Sequence, residues 1–231
     1  MKSQQKLAII IPAFNEEAMI QKVIMSIPRK IPHCQKPTII VINDGSTDGT
    51  KNQVKSTDAR VVTHILNRGL GGALGTAFML TKKERYDVIV TLDADGQHNP
   101  TEISRLIQPI IDGVADVVIG SRLMSPTMPP LRKLINIFSN VVTFLLFGIM
   151  TSDSQSGFRA FSKAAIEKIS IKTQGMEVSS EIFREIQKHN LTKVEIPIKA
   201  IYTNYSLSKG QRISNAPNVF WKLMLHQFRF L

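Results

Sequence analysis

The sequence predicts an α/β protein with a Rossmann-like, mostly parallel sheet flanked by helices. Two observations carry that expectation. Short β-branched runs alternate with helical patterns along the chain, as in successive βαβ units. Three of those runs also end in polar, turn-forming residues, and in open α/β sheets ligands bind at the carboxyl ends of strands. The 231 residues suffice for one large domain, or one domain with an appendage.

The elements follow in order. Strands are expected at Leu7–Ile11, Thr38–Ile42, Val61–Ile65, Val88–Leu92, Asp116–Ile119, near Gly157–Phe161 and near Lys193–Ile198. Helical patterns fit Glu16–Ile27, Thr47–Ser56, Gly72–Lys82, Pro100–Ile111, Leu131–Met150 and Glu177–His189. Pro126, Pro129 and Pro130 mark a stiff, irregular loop, a candidate mobile element over a site. Ser46 or Thr47 can cap the second helix, and Asp48 favours its positive end.

Composition narrows the function classes. A single cysteine, Cys34, excludes a disulfide framework and a cysteine zinc site. Met1 to Lys6 leads straight into a strand-like run, so a cytoplasmic setting is expected. The net charge of +11 calls for a polyanionic partner. Basic residues are scattered and only three Tyr and one Trp are available for base stacking, which favours a diphosphate or a membrane surface over nucleic acid.

The most informative block is Asp93-Ala94-Asp95-Gly96-Gln97-His98, at the end of a buried strand. Within a strand Asp93 and Asp95 would point to opposite faces. A turn at Gly96 lets them converge, giving hard oxygen ligands suited to Mg²⁺ or Mn²⁺ held with a diphosphate. Asp44, directly after its strand, is expected to face the crevice and accept hydrogen bonds from a nucleobase or ribose. The glycine-rich passage Asn67 to Gly75 could bring backbone close to a nucleotide, but it is neither a dinucleotide fingerprint nor a P-loop. Arg122, in Gly120-Ser121-Arg122, and the Lys209/Arg212 pair could reach phosphate.

Ile11-Pro12-Ala13-Phe14-Asn15-Glu16-Glu17, Asn43 to Thr50, Asp93 to His98, Gly120-Ser121-Arg122 and Ser156 to Phe161 occur in that order. With these motifs the chain resembles family 2 glycosyltransferases of the GT-A fold, especially the branch related to dolichyl-phosphate mannose synthase, over roughly residues 7–212. The resemblance implies that Pro12, Phe14, Glu16, Ile42 and Asp44 contact the nucleotide of a GDP- or UDP-linked sugar, with Ala94 beside them. It implies that Asp93, Asp95 and Gln97 form the metal and diphosphate group, with Asp95 and Arg122 serving catalysis. Lys209 is expected on the donor diphosphate or acceptor phosphate, and Arg159 and Arg212 on the acceptor, with Asp153 a partner to Arg159. Asn43 stands where the family often has an acidic residue. Tyr202-Thr203-Asn204-Tyr205 stands where mannose synthases tend to carry an arginine, which leaves mannose, glucose and N-acetylglucosamine open.

The function these expectations add up to is inverting transfer of a sugar to a polyprenyl or dolichyl phosphate. The alternative acceptor, a polysaccharide or glycolipid, would need a catalytic base, for which Glu177 and Glu181 are the candidates. Leu134 to Ser152 carries no charge, yet Asn136, Ser139, Asn140 and Thr143 recur along it. That pattern favours a domain helix lying against lipid on one side over a membrane span. Residues 213–231 form a second expected unit, an amphipathic helix for membrane or partner association, with Asn215, Asn218, Lys222, His226 and Arg229 as its polar stripe. Peripheral attachment to the cytoplasmic face of a membrane follows, with a separate small membrane subunit as a possible partner.

Overall fold

The computed structural model describes residues 4–123, 128, 130–148, 150–203 and 205. Lys209, Arg212 and the expected helix over 213–231 lie outside these residues, as do Pro126 and Pro129 of the proline-marked loop.

Seven strands form one sheet: β1 (Leu7–Ala13), β2 (Thr38–Asn43), β3 (Arg60–Thr63), β4 (Val88–Thr91), β5 (Val117–Ser121), β6 (Arg159–Ser162) and β7 (Lys193–Pro197). Their spatial order is β3-β2-β1-β4-β6-β5-β7. All neighbouring pairs are parallel except those of β6, which runs antiparallel to both β4 and β5. The helices are α1 (Ile20–Ser26), α2 (Thr50–Lys55), α3 (Gly69–Lys83), α4 (Ile103–Ile111), α5 (Pro130–Phe147), α6 (Lys163–Lys168) and α7 (Val178–Lys188), with a 3₁₀ turn at Pro100–Glu102 before α4.

Both faces of the sheet are covered, which is why β1, β2 and β4 read as continuous apolar runs. Alternate residues serve opposite layers. Leu7, Ile9, Ile11, Ile39, Val41, Val88 and Val90 pack with Ile20, Ile24, Ile103 and Leu106. Ala8, Ile10, Ile40, Ile42, Ile89, Val117 and Ile119 pack with Leu74, Phe78, Phe161, Ile182 and Phe183.

Several boundaries move. β3 ends at Thr63 and leaves Ile65 97 % exposed, so its apolar run overstates the strand. Helices α1 and α2 begin later than expected because residues 14–19 and 44–49 are spent on the loops between the tips. Gly49 caps α2, while Asp48 Oδ1 accepts from Thr50 N at 3.0 Å, so neither Ser46 nor Thr47 is the cap. The structure adds a short helix, α6, to those expected from the pattern; Ser162 caps it, its Oγ accepting from Ala165 N at 3.2 Å.

Helix α5 is polar on the inside. Asn136 and Thr143 are buried, whereas Leu134, Phe138 and Leu145 are 65, 62 and 73 % exposed. Inward, Asn136 reaches Asp153, and Asn140 Nδ2 donates to Ser152 O at 2.7 Å while its Oδ1 accepts from Ser154 N at 2.9 Å. Among the described residues no helix is long and apolar enough to cross a membrane.

The antiparallel strand matters most for position. After β5 reaches the carboxyl edge of the sheet, α5 and the loop that follows keep the chain there, and β6 starts at that edge. Arg159 thereby pairs with Thr91 of β4 and Ile119 of β5. Phe161 of β6 is fully buried and meets Phe78 edge-on, ring centroids 5.0 Å apart. Phe161→Ala should therefore lower unfolding free energy by about 3–5 kcal/mol in urea denaturation; a loss under about 1 kcal/mol would show that the layer closes over the gap.

Candidate active site

The tips of β1 and β2 are stitched together by their own polar residues. Asn15 adopts φ +55, which lets its N–H donate to Ser46 Oγ at 3.0 Å and its Oδ1 accept from Thr47 N at 2.9 Å. Glu16 N donates to Thr50 Oγ1 at 2.8 Å, and Glu17 Oε2 accepts from Gly49 N at 2.7 Å. Ser46, Thr47 and Asp48 are therefore loop-joining residues. Glu16 turns inward, and its Oε2 accepts from the Tyr205 hydroxyl at 2.7 Å.

Asp44 differs from expectation. It is buried, with Oδ1 accepting from Arg68 N at 2.9 Å and Oδ2 from Gly69 N at 2.7 Å, while His64 Nδ1 lies 2.7 Å from Oδ1. This carboxylate anchors the start of α3 instead of facing the crevice. Ile42 faces the other way from the crevice. Its side chain shares the inward face of β2 with Ile40 and is wholly enclosed in the core, which leaves its backbone as the part that a nucleotide could meet. The glycine-rich passage serves packing as well. Gly71 N and Gly72 N donate to Gly175 O and Gln174 O, and a Cβ at Gly71 would overlap the Thr173 carbonyl.

After β4 the chain turns as the motif predicts, with Gly96 at φ +76. Gln97 holds Asp95 at both oxygens: its backbone N donates to Oδ1 at 2.9 Å and its Nε2 to Oδ2 at 2.7 Å. His98 Nε2 lies 2.9 Å from Asp93 Oδ2. Gly157 closes the other side of Asp93, since a Cβ there would overlap the carboxylate. Burial and the neighbouring charge of Asp93 push Asp95 above the usual carboxylate range. For Asp93, burial acts upward, but the His98 hydrogen bond and the cations Arg122 and Arg159 outweigh it and hold the group low. Two carboxylates that raise one another's cost of ionisation, both hard oxygen donors, suit a divalent cation.

Across the crevice, Arg122 is gripped by Asp153. Arg122 Nε donates to Oδ2 at 2.8 Å, Nη2 to Oδ1 at 3.0 Å and the backbone N to Oδ2 at 2.9 Å, while Asn136 Nδ2 adds a bond to Oδ1 at 2.7 Å. Asp153 was expected beside Arg159 and pairs with Arg122 instead. Burial opposes its charge, but Arg122 and the donors around it hold its carboxyl below the usual range. Arg159 sits deeper, 5.4 Å over the Phe183 ring, with Nη2 donating to Ser154 O at 2.9 Å. Burial pushes its guanidinium down to about 10. It lines an inner pocket of about 70 Å³ with Asp93 and Ser156, behind the main crevice.

That main crevice measures about 360 Å³ and brings together Pro12, Glu16, Asp93, Ala94, Asp95, Gln97 and Arg122. Phe14, Asp44 and Ile42 are not on its wall. Arg132, Asn136, Gln155, Met176 and Tyr202 are, and sequence reasoning assigned none of them to the site. Arg132 lies 6.0 Å from the Tyr202 ring. The available signal for Asn136 was a polar residue recurring in an uncharged stretch. The base candidates do not reach the wall either: Glu177 Oε1 accepts from Gly175 N, and Glu181 accepts from Lys172 N and from the Thr173 N–H and hydroxyl.

Removing the fully buried Asp153 strands the largely buried Arg122 charge, so Asp153→Ala should cost about 3–5 kcal/mol at neutral pH. A carboxyl held low in the folded state stabilises above its unfolded value of about 3.9 and loses that contribution as pH falls below it. Urea unfolding between pH 6 and pH 3 should thus show the wild-type advantage over Asp153→Ala full at pH 6 and shrinking below about pH 4; a pH-independent difference would contradict the pairing.

Comparison with known proteins bears on this geometry. The family model for glycosyl transferase family 2 matches residues 8–170. An uncharacterized protein of Methanocaldococcus jannaschii is 38 % identical over 97 % of this chain and 93 % of its own length. A UDP-N-acetylglucosamine–dolichyl-phosphate N-acetylglucosaminyltransferase of Methanococcus voltae is 35 % identical, covering 94 % of each chain. The polyprenol monophosphomannose synthase of Mycolicibacterium smegmatis is 29 % identical over 94 % of this chain and 86 % of its own. In fold, the chain superposes on glucosyl-3-phosphoglycerate synthase of Mycobacterium tuberculosis, a GT-A structure, with a TM-score of 0.74 at 21 % identity, over 96 % of this chain and 80 % of that one. The matched span begins in β1 and runs past β6, taking in the stitched tips, the Asp93–Asp95 turn, Arg122 and Gly157; the chain belongs to glycosyl transferase family 2.

Proposed function

We propose that the protein transfers a sugar from a GDP- or UDP-linked donor to a polyprenyl or dolichyl phosphate, inverting the anomeric centre. The observation that carries this reading is the crevice itself. Its Asp93/Asp95 wall faces Arg122 and Arg132, and Ile135 and Asn136 on the same wall belong to α5, whose outer face is apolar. A phosphorylated head and a hydrocarbon tail are the acceptor chemistry that such a pairing of surfaces fits. The names of the M. voltae and M. smegmatis relatives point the same way.

The mechanism follows from the acceptor. A phosphate monoester is already an anion near neutral pH, so no strong base is required. This agrees with Glu177 and Glu181 being engaged by backbone away from the crevice. The acceptor oxygen forms a bond to the anomeric carbon as the bond from that carbon to the nucleoside diphosphate breaks, and attack from the opposite face inverts configuration. The protein's work is alignment and stabilisation of the departing diphosphate. Mg²⁺ or Mn²⁺ held by Asp93 and Asp95 would supply Lewis-acid neutralisation of that leaving group; the M. tuberculosis fold neighbour was crystallised with Mn²⁺ and UDP. Arg122, kept in place by Asp153, adds a fixed positive charge across the crevice from these carboxylates. Arg132 is the crevice cation nearest the apolar face of α5 in sequence, and so the better acceptor-phosphate contact than the enclosed Arg159.

The outward apolar face of α5 supports peripheral attachment to a membrane on the side from which the acceptor enters. A panel of GDP- and UDP-sugars, incubated with a short polyprenyl phosphate and Mn²⁺, should yield a lipid-linked sugar with one donor. Asp95→Ala should abolish it; turnover of a donor onto a non-phosphorylated glycan, with none onto the lipid, would overturn the acceptor assignment. Phe138→Glu combined with Leu145→Glu should release the protein from anionic lipid vesicles in flotation while leaving nucleotide binding intact; unchanged flotation would remove α5 from the membrane contact.

A further inference from the structure

His98 closes the Asp93 block, and its side chain is wholly enclosed. Its ring stacks on Phe158, with centroids 5.3 Å apart and planes 25° apart. Its backbone is bridged to Ala200, and Gln97 O next to it accepts from Ile201 N at 2.8 Å. The ring therefore has no freedom to swing. One nitrogen, Nε2, lies 2.9 Å from Asp93 Oδ2; the other, Nδ1, is buried with no hydrogen-bond partner in the described structure. An imidazole that makes one polar contact, and makes it to a carboxylate, carries its hydrogen on the contacting nitrogen.

We propose that His98 is a positioning residue for the cation-binding carboxylate: Nε2–H holds Asp93 Oδ2 and thereby fixes the orientation of the whole carboxylate. Gly157 completes the clamp from the far side, because only a residue without Cβ leaves room for that carboxylate orientation. The arrangement parallels Gln97, which holds Asp95 from two residues away. The block thus contains two carboxylates and, directly after the turn, one holder for each. Hydrogen-bonded neighbours of metal-ligating groups typically govern affinity by 10–100-fold, because a carboxylate that must reorient binds less well than one already aimed.

The competing reading is that His98 is a core filler whose ring merely packs on Phe158. The two separate by substitution. His98→Phe keeps an aromatic ring for stacking and removes the N–H donor; His98→Leu removes both; His98→Gln restores a donor amide without the ring. The inference rests on Asp93 being a cation ligand, so Asp93→Asn is measured alongside. The experiment titrates the full-length chain with Mn²⁺ alone, reading free Mn²⁺ by electron paramagnetic resonance, with thermal melts establishing that each variant is folded.

The expected result is a dissociation constant raised about 10–100-fold in His98→Phe and His98→Leu, and held within about threefold of wild type in His98→Gln. Asp93→Asn should be weakened at least as much as His98→Phe. Near-wild-type Mn²⁺ affinity in His98→Phe, beside a weakened Asp93→Asn, would overturn the positioning role while leaving the cation site standing. Equal weakening in His98→Gln and His98→Phe would also overturn it, because restoring the donor would then have done nothing. Wild-type affinity in Asp93→Asn would remove the cation site itself, and the proposal with it.

Discussion

The bond between Asp153 and Arg122 is the interaction on which the crevice depends. Asp153 lies in the loop before β6, Arg122 at the end of β5, and Asn136, which also donates to Asp153, on α5. One carboxylate thus ties together three segments that share no regular pairing with each other at that point. Without it, a guanidinium would be left in a poorly solvated wall facing two carboxylates at an unfixed distance. The buried geometry, two N–H groups of the guanidinium on two oxygens, sets that distance.

The same logic recurs around the site: Asp95 is held by Gln97 and Asp93 by His98. A site that acts by electrostatic stabilisation needs its charges fixed before the ligand arrives, since reorienting them afterwards would spend part of the gain. The fold provides for this by bringing the carboxyl ends of β1, β2 and β4 to one edge, and by starting the antiparallel β6 there too.

Helix α5 extends the site outward with reversed polarity. Its amides face the domain, whereas Leu134, Phe138 and Leu145 face out. The inward amides satisfy the backbone of the irregular loop at 152–154, which would otherwise be buried without partners. The outward apolar residues are therefore not a failure of packing; the interior positions are already taken by groups that the loop requires.

Much of this was legible in the chain. The alternation of apolar runs and helical patterns determined the α/β class, and the polar residues that end three of those runs marked the ligand edge. The Asp93–Asp95 pair with Gly96 was readable because residues two apart in a strand diverge unless the backbone turns. What sequence alone could not decide was orientation. Ile42 sits beside the crevice in the chain, yet strand periodicity turns it into the core. Asp44 follows its strand as Asp93 follows β4, but its oxygens are consumed by α3. Whether Asp153 would meet Arg122 or Arg159 depended on how the loop before β6 packs, and whether the polar stripe of α5 faces in or out depended on that same loop. These are long-range hydrogen-bonding choices between segments tens of residues apart. Local pattern fixes which groups need partners, and only the packed tertiary structure determines which partners they find.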